Sequence, residues 1–309
     1  MWRLAGVALA LSLLASSPGT AAQVAAAVKA STSIESLPSD LTPSLPSVQT
    51  ESGYWSALST DYINNYCNAW NTPSLQTNPA ACFYGDLSSK RTVILYGDSN
   101  AANWAPAADV AATRLRLRLA LVAMPGCAPG FMSYTSSQVA FPQRCETWHA
   151  HLAPLARRLH PIAVLLVSAG FVRPSPRGWP AAVNKAFEVL SGGNAKAKRI
   201  VVGTSPHFQT PVPQCLASYP SAVQTCDINY SKSTSLHARD LARDAQVAAV
   251  SHATVMPTAK WLCSKNLCSP IVNHMMVYLD RDHFSIVYSK WLSGVFGAAL
   301  KKYVLSASI

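Results

Sequence analysis

Residues 92–106 read TVILYGDSNAANWAP. The apolar run Thr92–Tyr96 has the length and composition of a buried strand, and the Ala-rich stretch that follows predicts a helix over Ala101–Arg118. Between them lies the turn Gly97-Asp98-Ser99-Asn100. A serine there sits at a strand end and near a helix N-terminus. Its hydroxyl is exposed, and nearby backbone N–H groups can stabilise a developing oxyanion. The same tripeptide also reads as ordinary turn and N-cap chemistry.

Working outward, further apolar runs at Leu119–Met124, Ile162–Val167 and Ile200–Gly203, with a weaker one at Thr254–Met256, read as strands. Helical patterns occupy Glu146–Leu159, Pro180–Leu190, Leu236–Val250 and Phe284–Tyr303. Apolar strands alternating with helices imply an α/β fold, a three-layer α/β/α domain around a central parallel sheet. Ligands of such sheets bind beyond the carboxyl ends of the strands.

Far downstream the chain reads Tyr278-Leu279-Asp280-Arg281-Asp282-His283-Phe284-Ser285. A nucleophilic serine needs a base, and the base needs a carboxylate to fix its tautomer. Asp280, three residues before His283, can do this across a tight turn. Asp282 competes for the role, but its adjacency to His283 suits it better to capping the last helix.

Gly97-Asp98-Ser99 and Asp280-x-x-His283 are similar to the first and last blocks of the SGNH (GDSL-like) hydrolases. More narrowly, the chain resembles the SGNH domains fused to membrane acyltransferases that O-acetylate envelope polysaccharides. The carrying residues are Gly97 to Pro106, the stretch Pro257-Thr258-Ala259-Lys260-Trp261-Leu262-Cys263, and Asp280–Ser285. The likeness spans about Cys67 to Tyr303. It implies an SGNH/flavodoxin-like fold and a triad of Ser99 as nucleophile, His283 as base and Asp280 as orienter. It also implies an oxyanion hole of Ser99 and Gly126 (with Gly130 as runner-up), where Ser168 or a backbone N–H substitutes for the third-block donor or the hole is weaker; no cofactor or metal is expected. One departure stands out. Where the third block carries Gly-x-Asn, this chain reads Val167-Ser168-Ala169-Gly170, and loss of one oxyanion donor costs about 3 kcal/mol in a well-studied protease.

Composition narrows the class. The chain has 309 residues, half of them hydrophobic and 13% charged, which suits one sizeable core. Residues 1–22 read as a secretory signal, with Arg3 before an apolar run from Leu4 to Ala15 that is too short for the roughly 20 residues of a bilayer span. The alternative is an uncleaved anchor. Residues 23–53, rich in Ala, Ser, Thr and Pro, read as a linker, leaving 54–309 as the folded domain. The eight cysteines, Cys67, Cys82, Cys127, Cys145, Cys215, Cys226, Cys263 and Cys268, favour disulfides in an exported protein. Proximity pairs them 67–82, 127–145, 215–226 and 263–268, one of about 105 formal pairings. The net charge of +11 is scattered and points to anionic envelope polymers or lipid head groups, not nucleic acid.

The remaining candidates have plainer readings. His149 and His151, two apart on a helix, make a poor metal pair, and His207 is a loop histidine near the pocket. Trp104, Trp148, Trp179 and Trp261 read as core. The functional expectation is a secreted or periplasmic serine esterase or O-acyltransferase acting on acylated envelope polysaccharide or peptidoglycan, with a membrane acyltransferase as partner. Two rivals are a lipid or small-ester hydrolase, and a non-catalytic carbohydrate-binding accessory module, which the missing Asn favours.

Overall fold

The computed structural model describes residues 20–58, 62, 67, 69, 72–137, 139, 141–169, 178–229, 236–265 and 267–306. The signal segment expected at 1–22 lies almost wholly outside them. Among the described residues, no helix is long and apolar enough to cross a membrane.

The chain enters through helices α1 (Ala21–Ser31), α2 (Leu45–Val48), α3 (Glu51–Ala57) and α4 (Ser74–Thr77). The central sheet contains β1 (Cys82–Gly85), β2 (Thr92–Gly97), β3 (Arg118–Ala123), β4 (Ala163–Val167) and β5 (Lys198–Val202). After a short β6 (Ile228–Asn229), β7 (Thr254–Met256) completes it in the order β1-β3-β2-β4-β5-β7. All pairings are parallel except the antiparallel edge strand β1 on β3. The alternation of apolar runs and helices therefore gives the three-layer α/β/α fold it predicts. β2 lies between β3 and β4, so its carboxyl end is where the strand order reverses, the point at which doubly wound sheets hold their ligands. Ser99 follows directly.

Helix α5 (Ser99–Leu115) lies on one face with α11 (Ile286–Trp291) and α12 (Ser293–Leu300). The other face is covered by α6 (Pro142–Ala150), α7 (Leu152–Leu159), α8 (Trp179–Leu190) and α10 (Leu236–Val250), with α9 (Val212–Ser218) in the loop after β5. Alternate strand residues feed two separate cores: Val93 and Leu95 one, Ile94 and Tyr96 the other. Trp104, Trp148, Trp179 and Trp261 are all buried, as core residues should be. The predicted helix 146–159 divides at His151, because Pro154 lacks the N–H that would continue the ladder. Pro106 sits inside α5, and Ser289 repairs the gap: its hydroxyl accepts from Ala107 N (3.3 Å) and donates to Asn103 O (2.6 Å).

Residues 23–53 do not form a spacer. Their few large apolar residues are spaced for burial, so Val24 and Val28 of α1 and Leu41, Leu45 and Val48 beyond it all enter the core. This strap is hydrogen-bonded along its length to the C-terminal loops: Leu37 N to Pro220 O, Thr42 N to His274 O, and Met276 N to Thr42 O. Two small ladders continue those loops, β8 (Leu267–Cys268) on β6 and β9 (Ile271–Val272) on β10 (Met275–Met276).

The cysteines form the four neighbouring pairs expected, Cys67–Cys82, Cys127–Cys145, Cys215–Cys226 and Cys263–Cys268, with Cα separations of 5.7, 5.4, 5.9 and 4.1 Å.

Gly97 is where sheet and turn meet. A Cβ there would stand 2.1 Å from the Val167 carbonyl oxygen, a backbone atom of β4 that cannot swing away. Gly97→Ala is expected to lower stability by about 2–3 kcal/mol and to displace the residue two positions on. A denaturant melt measures the first effect, and an unchanged midpoint would contradict it.

Candidate active site

The turn after β2 is built around Asp98. Its carboxylate accepts from Asn100 N (2.8 Å), capping α5, and from Ala169 N (2.7 Å), which ties down the loop after β4. Burial pushes this carboxyl up to about 7, against the pull of those two N–H groups. The loop after β3 joins the same turn through Met124 N donating to Gly97 O.

The C-terminal turn is equally constrained. Asp280 Oδ1 accepts from the backbone N–H of Asp282 (2.9 Å) and His283 (2.7 Å), while Oδ2 faces His283 Nδ1 at 2.6 Å. The other ring nitrogen, Nε2, lies 2.8 Å from Ser99 Oγ. The two halves are clasped by amides of α5. Asn100 Nδ2 donates to Asp282 Oδ2 (3.0 Å), and Asn103 Nδ2 donates to Asp282 O (2.8 Å) while its Oδ1 accepts from Phe284 N (3.1 Å). Serine, imidazole and carboxylate thus stand in one hydrogen-bonded line although Ser99 and His283 are far apart in the chain.

Electrostatics follow the geometry. Burial works to raise the Asp280 carboxyl, but the imidazole and two backbone donors outweigh it and hold the group below its ordinary range. For His283, burial favours the neutral ring. The hydrogen bond to Asp280 and the charges of Asp282, Asp280 and Asp98 overcome it, raising the ring to about 9. Asp282 is raised, by burial first and then by the charge of Asp280, while His283, Asn100 and His207 oppose the rise.

Several expectations change. Ser285, not Asp282, caps α11, accepting from Tyr288 N. The carboxylate of Asp282 is taken by Asn100 instead, and its Oδ1 lies 3.7 Å from His283 Nδ1. Gly126 adopts φ +69 in the turn after β3, a left-handed conformation open to glycine. Ser168 is buried after β4, but its hydroxyl donates to Ala169 O (3.0 Å), a bond within its own loop. Gly170, next in the third block, lies outside the described residues. His207 is near enough for its charge to act on Asp282.

His149 is buried, stacked on Phe131 and 3.7 Å from Cys127 Sγ, and burial alone lowers it to about 3; His151 is exposed, with its Nδ1 2.7 Å from Thr147 O. Asp280, Asp282 and His283 are the one trio with metal-ligand spacing among the described residues. Both ring nitrogens of His283 are already engaged, so the trio fits proton handling better than ligation.

Two residues went unseen in the sequence. Tyr54 of α3 donates its hydroxyl to Asp280 Oδ2 (3.3 Å), and Asn103 clasps the histidine turn. The first was hidden because nothing in the sequence signals that α3 lies against the Asp280 turn. Asn103 could have been found: it lies one turn of helix after Asn100, on the same face.

A family model, the SGNH domain (fused to AT3 domains), matches residues 66–298. Among solved structures, the chain is similar to the periplasmic domain of a lipopolysaccharide acetyltransferase from Salmonella ser. Paratyphi A, with a TM-score of 0.60 and 14% identity, covering 83% of this chain and 98% of that one. No curated protein matches the chain.

Proposed function

Because the chain belongs to the SGNH domains (the family fused to AT3 domains), we propose that it is an exported serine esterase or O-acyltransferase acting on O-acyl groups, acetyl foremost, of cell-envelope carbohydrate. The observation that carries this reading is the hydrogen-bonded line from Ser99 Oγ through His283 to Asp280, at 2.8 and 2.6 Å.

In this reading Ser99 Oγ attacks the ester carbonyl as His283 Nε2 takes its proton, and Asp280 holds the ring and offsets the imidazolium charge. The backbone N–H groups of Ser99 and Gly126 receive the oxyanion. His283 then returns the proton to the leaving alkoxide. Deacylation runs the same steps with water in an esterase, or with a sugar hydroxyl in a transferase.

The fold likeness to a lipopolysaccharide acetyltransferase domain supports an envelope glycan as substrate. The family's fusion to AT3 domains supports a membrane acyltransferase as partner, and four cysteine pairs support an extracytoplasmic site, secreted or periplasmic. Residues 1–22 act in this reading as the export signal. The accessory-module reading draws on one observation, the Ser168 hydroxyl donating to Ala169 O within its own loop where the family pattern has an Asn. A fluorophosphonate serine probe separates the two: the esterase reading requires a mass shift on the peptide carrying Ser99, and an unlabelled Ser99 would overturn it.

The raised imidazole gives a second expectation. A ring that loses its proton near pH 9 is a competent base only above that value, so kcat/KM should rise with pH through the alkaline range and fall about tenfold per unit below it. Asp282→Asn removes one of the charges that raise it, and the acidic limb should move to lower pH. A limb that stays in place would show that Asp282 does not act on the ring.

A further inference from the structure

The site has a neighbour that the triad does not use. Of the six described tryptophans, Trp104, Trp148, Trp179, Trp261 and Trp291 are buried, whereas Trp55 is 52% exposed. Its place is fixed from two sides. Tyr54, the preceding residue, packs edge-on against the indole at 5.2 Å and 80°, and the same phenol donates to Asp280 Oδ2 at 3.3 Å. Three residues further on, Leu58 bridges to Ser285, two positions past His283. The indole is therefore an aromatic surface linked through Tyr54 to the carboxylate end of the Ser99–His283–Asp280 line. Orienting such a ring on binding costs little side-chain entropy.

We propose that Trp55 is a stacking platform for a pyranose ring of the glycan, holding the sugar chain beside the triad while an acyl group on it or on a neighbouring residue reaches Ser99. This rests on the esterase or transferase reading above for its substrate class. The axial C–H bonds of a sugar present a weakly positive face to the negative face of an indole. The surroundings favour a sugar over a lipid chain. On α3 the indole has the exposed Ser52 and Ser56 as chain neighbours, and among the described residues the other exposed large apolar side chains, Phe83, Leu87 and Phe141 among them, lie outside α3. An exposed indole beside serine hydroxyls suits a ring rimmed with hydroxyls, whereas an acyl chain calls for a contiguous apolar patch.

The test compares 4-nitrophenyl acetate, which carries no sugar, with a panel of mono-O-acetylated tetramers of neutral hexoses and of N-acetylhexosamines. Trp55→Ala should raise KM about tenfold on at least one tetramer and leave kcat/KM for 4-nitrophenyl acetate within twofold. Trp55→Tyr should recover most of the loss. A parallel fall on both substrate types would indicate a merely structural role and overturn the proposal, as would unchanged KM throughout the panel. Binding is read separately by fluorescence quenching in the Ser99→Ala protein, where Trp55→Ala should abolish the sugar-induced change. Trp55-dependent quenching together with no ester turnover by the protein with Ser99 intact would uphold the platform and sink the catalytic reading. No binding to any tetramer, or Trp55-dependent adsorption to anionic phospholipid vesicles instead, would overturn the platform.

Discussion

Ser99→Ala is expected to lower kcat on a chromogenic acetyl ester by at least about ten-thousand-fold, the scale on which a serine triad loses activity when its nucleophile is removed. The reason is local. Ser99 Oγ is the atom that His283 Nε2 faces at 2.8 Å, and no other hydroxyl of the described residues hydrogen-bonds that nitrogen. The variant should fold normally, because the cap of α5 is Asp98 and not Ser99. Stability should therefore change by less than about 1 kcal/mol. Steady-state kinetics beside a thermal melt provide the measurement. Turnover surviving in a well-folded variant would mean that another group attacks the ester.

The second large effect is expected from Asp280→Asn, a drop of about ten-thousand-fold in kcat with little change in KM. Asp280 Oδ1 accepts two backbone N–H bonds, from Asp282 and His283. An amide oxygen can keep both, so the turn should hold its shape. The amide nitrogen is then left facing the imidazole. It can only donate, so Nδ1 must accept and Nε2 must carry the proton. A ring in that tautomer cannot take a proton from Ser99. Because Asp282 Oδ1 stands 3.7 Å from the same nitrogen, the double change Asp280→Asn with Asp282→Asn discriminates further. If Asp282 were the true orienter, Asp280→Asn alone would cost little.

The sheet was legible because β2, β3 and β4 are continuous apolar runs with no competing period, and α10 and β7 coincide with their predicted bounds. The hydrogen-bonded line was legible because Ser99 and the Asp280–His283 pair are motifs whose proposed chemistry needs those residues at those spacings. Three features were not. β1 is only four residues long, with an exposed Phe83, and edge strands leave a weak pattern. The strap was misread because composition over 23–53 hides where its apolar residues fall. Val24 and Val28 are four apart and share one helix face, which an average over Ala, Ser and Pro conceals. Asp282 was misassigned because capping was judged from chain position, whereas its partner, Asn100, comes from another helix.

The disulfides have a consequence for how the molecule is held together. Each joins near neighbours, 15, 18, 11 and 5 positions apart, so none bridges from the serine's portion of the chain to the histidine's. Were the backbone severed once between Cys145 and Cys215, two internally cross-linked fragments would remain with no covalent tie. The strap's bonds to the C-terminal loops, the Asn100, Asn103 and Ser289 contacts, the packing of α11 and α12 on α5 and the pairing of neighbouring sheet strands would keep them mated. In the vocabulary of protein engineering this is a natural split point. Ser99 and His283 could be made on separate polypeptides, and in the proposed reading ester turnover would report their reunion.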